Sequence, residues 1–151
     1  MYAVETKGLT HRYVRAAAVV RDLSLRVPRG SIYGFLGPNG AGKTTTLRLL
    51  IGLLPLQAGT IEIFGQPLAR DRVGLLRRIG SSIETPSVYA NLTARENLRI
   101  WQLVYDCPRA RIDALLAEVG LADTGDKLAG QFSLGMKQRL GLAAALLHEP
   151  E

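Results

Sequence analysis

Residues 37–44 of the chain, Gly-Pro-Asn-Gly-Ala-Gly-Lys-Thr, combine glycines, a cation and a hydroxyl at a spacing suited to holding several negative charges. They fit the pattern G-x-x-x-x-G-K-[ST] of a phosphate-binding loop. Glycines let successive backbone N–H groups point inward, and they place no side chain in the path of the phosphates. A helix beginning at Lys43 would direct the positive end of its dipole at the same place. The sequence therefore predicts a triphosphate-binding loop.

Different positions of this loop are expected to do different chemistry. The Lys43 ammonium should reach the β- and γ-phosphates, and the Thr44 hydroxyl should ligate Mg²⁺. Thr45 can add a hydroxyl or amide contact. The residues predicted to contact the nucleotide here are Gly37, Pro38, Asn39, Gly40, Ala41, Gly42, Lys43, Thr44 and Thr45.

A loop of this type needs a strand before it and a helix after it. The nearly all-apolar run Ser31–Leu36 predicts a central strand covered on both faces, and Lys43–Leu53 predicts the helix. Alternating and apolar runs predict further strands at 4–6 and 9–13, on either side of Gly8, and at 19–27, 60–64 and 79–84. A turn is predicted at 65–67 and a basic helix near 71–78.

From about residue 85 the sequence becomes helical in character. Thr93 and Glu96 have the spacing of a capping box, which opens a helix through about Tyr105. A second helix is predicted over Arg109–Val119 and closed by Gly120, and a third from Ser133 to His148. The pattern favours one strand-rich unit with a helical lobe.

Three segments together resemble the ATP-binding-cassette (ABC) ATPases. The run Gly37–Thr46, GPNGAGKTTT, resembles their Walker A segment, and Ile79–Glu84 resembles the strand that leads into their Q-loop. The run Ser133–Arg139 is similar to their signature motif, usually LSGGQ. The resemblance covers nearly the whole chain and implies an α/β fold. Residues 1–84 and about 140–151 would form the P-loop NTPase core with its N-terminal antiparallel β-subdomain, and about 85–139 the helical insert with the signature.

The resemblance also implies roles for residues outside the loop. In this family an aromatic residue at the position of Tyr13 stacks on adenine, and stacking tolerates any base; ordinary strand packing is the alternative for Tyr13. Ser133 and Gly135 would face the γ-phosphate held by Lys43 and Thr44 of a second nucleotide-binding domain in a head-to-tail dimer.

Two departures from the family pattern stand out. Glu84 replaces the usual Q-loop glutamine; it could still ligate Mg²⁺ or position water, but it adds a negative charge beside the phosphates. The segment Glu84-Thr85-Pro86 is similar to the bacitracin- and lantibiotic-resistance branch of exporters. In the signature, Leu134 replaces the first glycine and Met136 replaces the glutamine.

Family members continue past the Glu-Pro pair at 149–150 into a strand ending in Asp-Glu, and a histidine follows later. The Walker B aspartate, the catalytic glutamate and the switch histidine are not found in these 151 residues, and neither His11 nor His148 is predicted to be catalytic. We therefore expect the chain to bind ATP and Mg²⁺ but to hydrolyse ATP slowly at best. It would be a fragment of a longer subunit, truncated before the Walker B strand, with an exposed sheet edge.

Composition and charge restrict the partners. No apolar run approaches the roughly 20 residues of a membrane span, the first residues lack a secretory signal, and the single cysteine, Cys107, fits a reducing cytoplasm. The net charge of +6 admits nucleic acid, an anionic membrane surface or phosphate ligands. No nucleic-acid partner is expected, because the arginines are scattered and the densest patch, 70–78, contains no aromatic residue.

The resemblance implies the cytoplasmic ATPase subunit of an exporter, held on the inner face of the membrane by a transmembrane permease. The helical lobe near Thr85–Arg99 would push on that permease. Two alternatives are a soluble ABC ATPase that acts on nucleic acid or ribosomes, and a non-hydrolysing regulatory fragment.

Overall fold

The computed structural model of the chain describes residues 1–13, 18–84 and 86–151. These form two compact units, Met1–Leu76 and Arg77–Glu151. The first unit contains strands β1 (Tyr2–Arg12), β2 (Ala18–Pro28), β3 (Ala58–Ile63) and β4 (Gln66–Pro67), and helices α1 (Lys43–Leu50) and α2 (Arg72–Leu76). The second contains helices α3 (Ala94–Tyr105), α4 (Ala110–Glu118) and α5 (Leu134–Leu146), with 3₁₀ turns at Ala122–Thr124 and Ala129–Gln131.

The strands form one antiparallel sheet in the order β2-β1-β3-β4. Strand β1 is continuous through Gly8, so the predicted break there is wrong. The register of β1 shifts instead near Gly8 against both β2 and β3. The buried residues change phase across this bulge, from Thr6 before it to Leu9 and His11 after it, because an extra residue turns every later side chain to the other face.

Two glycines make the bulge possible. Both have positive φ, +60° at Gly8 and +89° at Gly59, a region that L side chains rarely adopt. A Cβ atom on Gly59 would lie 2.5 Å from the carbonyl carbon and oxygen of Gly8. The backbones of β1 and β3 therefore touch at a point where no side chain fits.

The helical unit is organised around one apolar core. Its most deeply buried members come from α3, α4 and α5, the turns between them and the residue after α5: Ala94, Leu98, Ile112, Leu115, Leu116, Leu121, Ala129, Leu140, Ala143 and Leu147. Helix α3 begins with the predicted capping box, in which Thr93 and Glu96 exchange hydrogen bonds. Among the described residues, the helices lack the combined length and apolar character that crossing a bilayer requires.

Two of the predicted strands are absent from the described residues. Residues 31–36 and 79–84 have no strand partner there, and the side chains of Ile32 and Leu36 are exposed to 105% and 92%. An apolar run becomes a central strand only when neighbouring backbone pairs with it and covers both faces. These two predictions are wrong for the described structure because that partner is lacking.

Other boundaries move by a few residues. Helix α1 ends at Leu50 rather than Leu53, and the predicted turn at 65–67 is a turn at 64–65 followed by β4. The basic helix is limited to α2, and α5 ends two residues before His148. The boundary between the compact units falls after Leu76; the assignment of 1–84 and 140–151 to one ATP-binding core stays a prediction.

Candidate functional site

The glycine-rich loop ends at a helix whose leading amides have no side-chain cap. Gly42 is the N-cap of α1 with φ 88°, and the first turn of α1 contains no acidic residue. The amides of a first helical turn have no partner within the helix, and the helix dipole places partial positive charge beside them. The end of this loop is thus suited to an anion.

Gly42 is also the point where the loop contacts the sheet. A Cβ atom on Gly42 would lie 2.7 Å from the carbonyl oxygen of Val19 and 3.2 Å from Cγ2 of Val20. Only glycine combines the positive φ with this approach to β2. The antiparallel sheet therefore sets the position at which α1 begins.

Lys43 closes the loop upon itself. Its ammonium donates to the carbonyl oxygens of Gly37 and Pro38, at 2.7 and 2.8 Å. The Ala41 amide donates to the Pro38 carbonyl at 3.2 Å, which tightens the same turn. The lysine charge thus lies against the loop that was predicted to hold the phosphates.

Tyr13 reaches the residue that follows this loop, Thr45, which lies 32 positions later in the sequence. Its hydroxyl lies 3.3 Å from the hydroxyl of Thr45, which is 7% exposed in the first turn of α1. The Tyr13 side chain keeps 38% of its surface exposed. The structure therefore brings together the aromatic ring and the loop that the family resemblance connects.

Residues suited to Mg²⁺ are few. The Thr44 hydroxyl makes no hydrogen bond within residues 1–13, 18–84 and 86–151, so its oxygen is available to a ligand there. The same described ranges hold no group of three or more His, Cys, Asp or Glu side chains that could bind a metal ion. Mg²⁺ commonly uses one or two protein ligands together with substrate phosphates, so Thr44 fits a metal that arrives with the nucleotide.

Glu84 belongs to the other unit, in a segment that packs along α5. Glu84 is exposed and has φ 62°, unusual for a residue other than glycine. Thr85 lies outside the described residues. A Cβ atom on Gly80 would lie 2.4 Å from the Ala145 carbonyl oxygen, and one on Gly141 would lie 2.5 Å from Cβ of Pro86. The two glycines let residues 80 and 86 pack closely against the helix, and this role of Gly141 had no sequence signal.

The signature segment forms the N-terminus of α5. Ser133 is the N-cap, and its hydroxyl accepts a hydrogen bond from the Met136 amide at 3.3 Å. Leu134 and Gly135 are exposed, whereas Met136 is half-buried and packs against the helical core. The two departures from the family pattern therefore differ physically, since Leu134 faces solvent and Met136 contributes to packing.

Arg139 holds two helices of this unit together. Its Nη1 donates to the carbonyl oxygens of Val119 and Gly120, at 3.1 and 3.0 Å. These carbonyls lie just after α4, where a cation also interacts favourably with the helix dipole. In the sequence Arg139 stands out only as part of the signature, but its contacts connect that helix to the end of α4.

Residues 20–151 match the family described as ABC transporter. The bacitracin transport ATP-binding protein BcrA of Bacillus licheniformis is 52% identical over 149 residues, 98% of this chain and 48% of that protein. The lantibiotic transport ATP-binding protein SrtF of Streptococcus pyogenes is 38% identical over 133 residues, 88% of this chain and 57% of that protein.

A solved structure described as the ATP binding subunit of an ABC transporter superposes with a TM-score of 0.84 at 34% identity. It is matched over 98% of this chain and 63% of its own. The predicted α/β fold with an antiparallel N-terminal sheet and a helical part is confirmed, as is the placement beside bacitracin and lantibiotic transport proteins. The chain spans about half the length of these curated relatives. With its glycine loop, its capped signature helix and these relatives, the chain belongs to the ABC transporter family of ATP-binding proteins.

Proposed function

We propose that this chain binds MgATP and is the nucleotide-binding part of an exporter ATPase. The observation that carries the proposal is the meeting of three features in one unit. These are the Lys43 ammonium on its loop, the uncapped amides of α1, and the Tyr13 hydroxyl beside Thr45. Each suits a different part of a nucleotide, because amides and ammonium bind phosphate and an aromatic face stacks on a base.

In this proposal the lysine exchanges partners. Its two bonds to the carbonyls of Gly37 and Pro38 give way to bonds with phosphate oxygens, which are stronger because both partners are charged. Thr44 and Glu84 would ligate Mg²⁺, which supplies charge neutralisation at the phosphates. Thr44 and Glu84 lie in different units, so their joint action is part of the proposal.

The signature end of α5 is proposed to serve a second subunit. Ser133 and Gly135 stand at an exposed helix N-terminus, where hydroxyl, amide and dipole favour an anion. Two chains arranged head to tail would place this end against the γ-phosphate held by the partner's lysine. ATP would then hold the dimer together.

The wider assignment rests on the relatives. The names of the matched proteins describe transport of bacitracin and of lantibiotics, so we propose a peptide antibiotic as cargo and a transmembrane permease as partner. The chain would lie on the cytoplasmic face of the membrane through that permease. Hydrolysis would require the Asp-Glu strand of the family, which residues 1–151 do not include, so this chain alone should turn over ATP slowly.

The experiment is a calorimetric titration of the chain with MgATP. Lys43→Ala should weaken binding by about tenfold to a hundredfold, because a hydrogen bond to a charged group contributes about 1.5–3 kcal/mol. Lys7→Ala is the matched control, since Lys7 is an exposed lysine on β1 and its loss should leave affinity unchanged. Absence of binding by the unaltered chain, or equal binding by Lys43→Ala, contradicts the proposal. Titration with single-stranded RNA tests the nucleic-acid alternative.

A further inference from the structure

The imidazole of His11 lies against the ring of Tyr13. The ring centroids are 5.1 Å apart and the planes meet at 85°, the edge-to-face arrangement that aromatic pairs prefer. His11 is 3% exposed in β1, whereas Tyr13, just beyond the end of β1, is 38% exposed. The buried His11 ring thus packs against the partly exposed Tyr13 ring.

Tyr13 is consequently held by two contacts of different kinds. The His11 ring fixes the plane of the Tyr13 ring, and the Thr45 hydroxyl, 3.3 Å away, fixes its oxygen. His11 pairs with Val20 of β2 in the sheet, and Gly42 packs against Val20 at the start of α1. The Tyr13 ring, through His11, and the phosphate loop, through Gly42, are therefore both positioned by the part of the sheet around Val20.

Packing of the core alone does not explain why a histidine occupies the buried position 11. Its Nδ1 is buried and has no hydrogen-bond partner among the described residues. A buried polar atom without a partner lowers stability, so an apolar side chain would fill this space better. Orientation of Tyr13 is a role for which a planar ring is suited and an aliphatic side chain is not.

We propose that His11 is a positioning residue that sets the plane of the Tyr13 ring for stacking on the base of a nucleotide. This inference rests on the proposed function, because it assumes that Tyr13 meets the base. His11 touches neither base nor phosphate. Its influence should therefore be seen with MgATP and not with inorganic tripolyphosphate, which lacks a base.

The test compares His11→Leu with His11→Phe, each titrated with MgATP and with magnesium tripolyphosphate. His11→Leu removes the ring, and it should weaken MgATP binding by roughly twofold to tenfold, the range expected for an edge-to-face pair. Tripolyphosphate affinity should stay within about twofold, because this ligand has no base to stack on the Tyr13 ring. His11→Phe keeps a ring at the same place and should retain most of the MgATP affinity. In a Tyr13→Ala background, His11→Leu should have no further effect.

A second measurement needs no nucleotide. The NMR signals of the Tyr13 ring, assigned with Tyr13→Phe, should shift in His11→Leu and shift less in His11→Phe. Equal loss of both ligands in His11→Leu, unchanged MgATP affinity, or an unchanged Tyr13 signal overturns the inference. Failure of the proposed function looks different, since the unaltered chain would then bind neither ligand while the ring signals still report on positioning.

Discussion

The ammonium of Lys43 lies 2.7 Å from the carbonyl oxygen of Gly37, six residues earlier in the chain. Together with its bond to Pro38, this contact holds the lysine charge at the loop before any phosphate is bound. A preorganised group loses less conformational freedom when it binds. Because these contacts are made at the exposed loop, the lysine should matter more for binding than for folding.

Lys43→Ala should change the free energy of unfolding by less than about 1 kcal/mol, because both carbonyls return to water when the ammonium is removed. Urea denaturation followed by circular dichroism measures this. A loss several times larger would mean that the lysine is part of the folded core, and that its effect on MgATP binding is indirect.

Gly42→Ala should lower the free energy of unfolding of the first unit more than Gly40→Ala does. Both glycines have positive φ, 88° and 82°, but only a Cβ atom on Gly42 meets backbone, the Val19 carbonyl oxygen at 2.7 Å. Gly40→Ala should cost about 1–2 kcal/mol from the left-handed conformation alone, and Gly42→Ala at least about 2 kcal/mol. Equal costs in urea denaturation would show that the contact with β2 carries no strain.

Ser133→Ala should lower the free energy of unfolding by about 1 kcal/mol, because the N-cap of α5 is lost. Ser133→Asp keeps a good cap and should preserve stability. Its carboxylate would repel the γ-phosphate of a partner, so ATP-dependent dimers of the full-length subunit should be lost in sedimentation experiments. Dimers formed as readily by Ser133→Asp as by the unaltered protein contradict the role proposed for this helix end.

The capping box of α3 should respond to acid. Hydrogen bonds from the backbone and hydroxyl of Thr93 lower the pKa of Glu96 from its usual 4.5. A carboxyl whose pKa is lower in the folded state stabilises the fold above its unfolded pKa, and this contribution is lost as pH falls through the folded value. The difference in Tm between the unaltered chain and Glu96→Ala should therefore be constant at neutral pH and shrink below about pH 4.5.

Thr93→Ala is the companion variant for this experiment. It removes the Thr93 hydroxyl, one of the two donors to the carboxylate, and leaves Glu96 in place. Its Tm difference should shrink less completely in acid, since Thr93→Ala also removes the bond from the Glu96 amide to the Thr93 hydroxyl, which does not depend on the charge of the carboxyl group. A Tm difference for Glu96→Ala that is independent of pH contradicts the assignment of this hydrogen bond to the ionised carboxylate.

Asn97 should be intolerant of substitution. It is 4% exposed, and its amide donates to the carbonyls of Tyr89, Leu92 and Thr93 while its oxygen accepts from the Tyr89 amide. Asn97→Ala should lower the free energy of unfolding by about 2–4 kcal/mol. Asn97→Asp should lower the free energy of unfolding further, because a carboxylate would face the three carbonyl oxygens. Equal stability of the three proteins in urea would show that these bonds contribute nothing.

Features with a local physical cause could be predicted from the sequence. The loop at 37–44 and the Thr93–Glu96 capping box depend on residues close together in the chain, and both are where the pattern indicated. The antiparallel strands followed from alternation, apart from the bulge at Gly8. The central strands at 31–36 and 79–84 were wrong, because strand formation there depends on pairing with distant backbone.

The candidate site shows the same division. The Lys43 contacts and the Ser133 cap are local, whereas Tyr13 reaches Thr45 across 32 residues, and only the family resemblance connected them. The roles of Asn97 and Arg139 depend on side chains meeting carbonyls that tertiary packing places within reach. No spacing in the sequence marks such a meeting.

The contact between Gly59 and Gly8 has a consequence for how this sequence can diverge. No residue with a Cβ atom fits at Gly59, whereas Gly30 and Gly65 have open space around them and could be exchanged for asparagine at modest cost. In a library of random variants, Gly59 should therefore be among the least replaceable positions although it touches no predicted ligand. Selection at Gly59 would preserve the register shift in β1. That shift places the His11 side chain on the buried face, next to Tyr13.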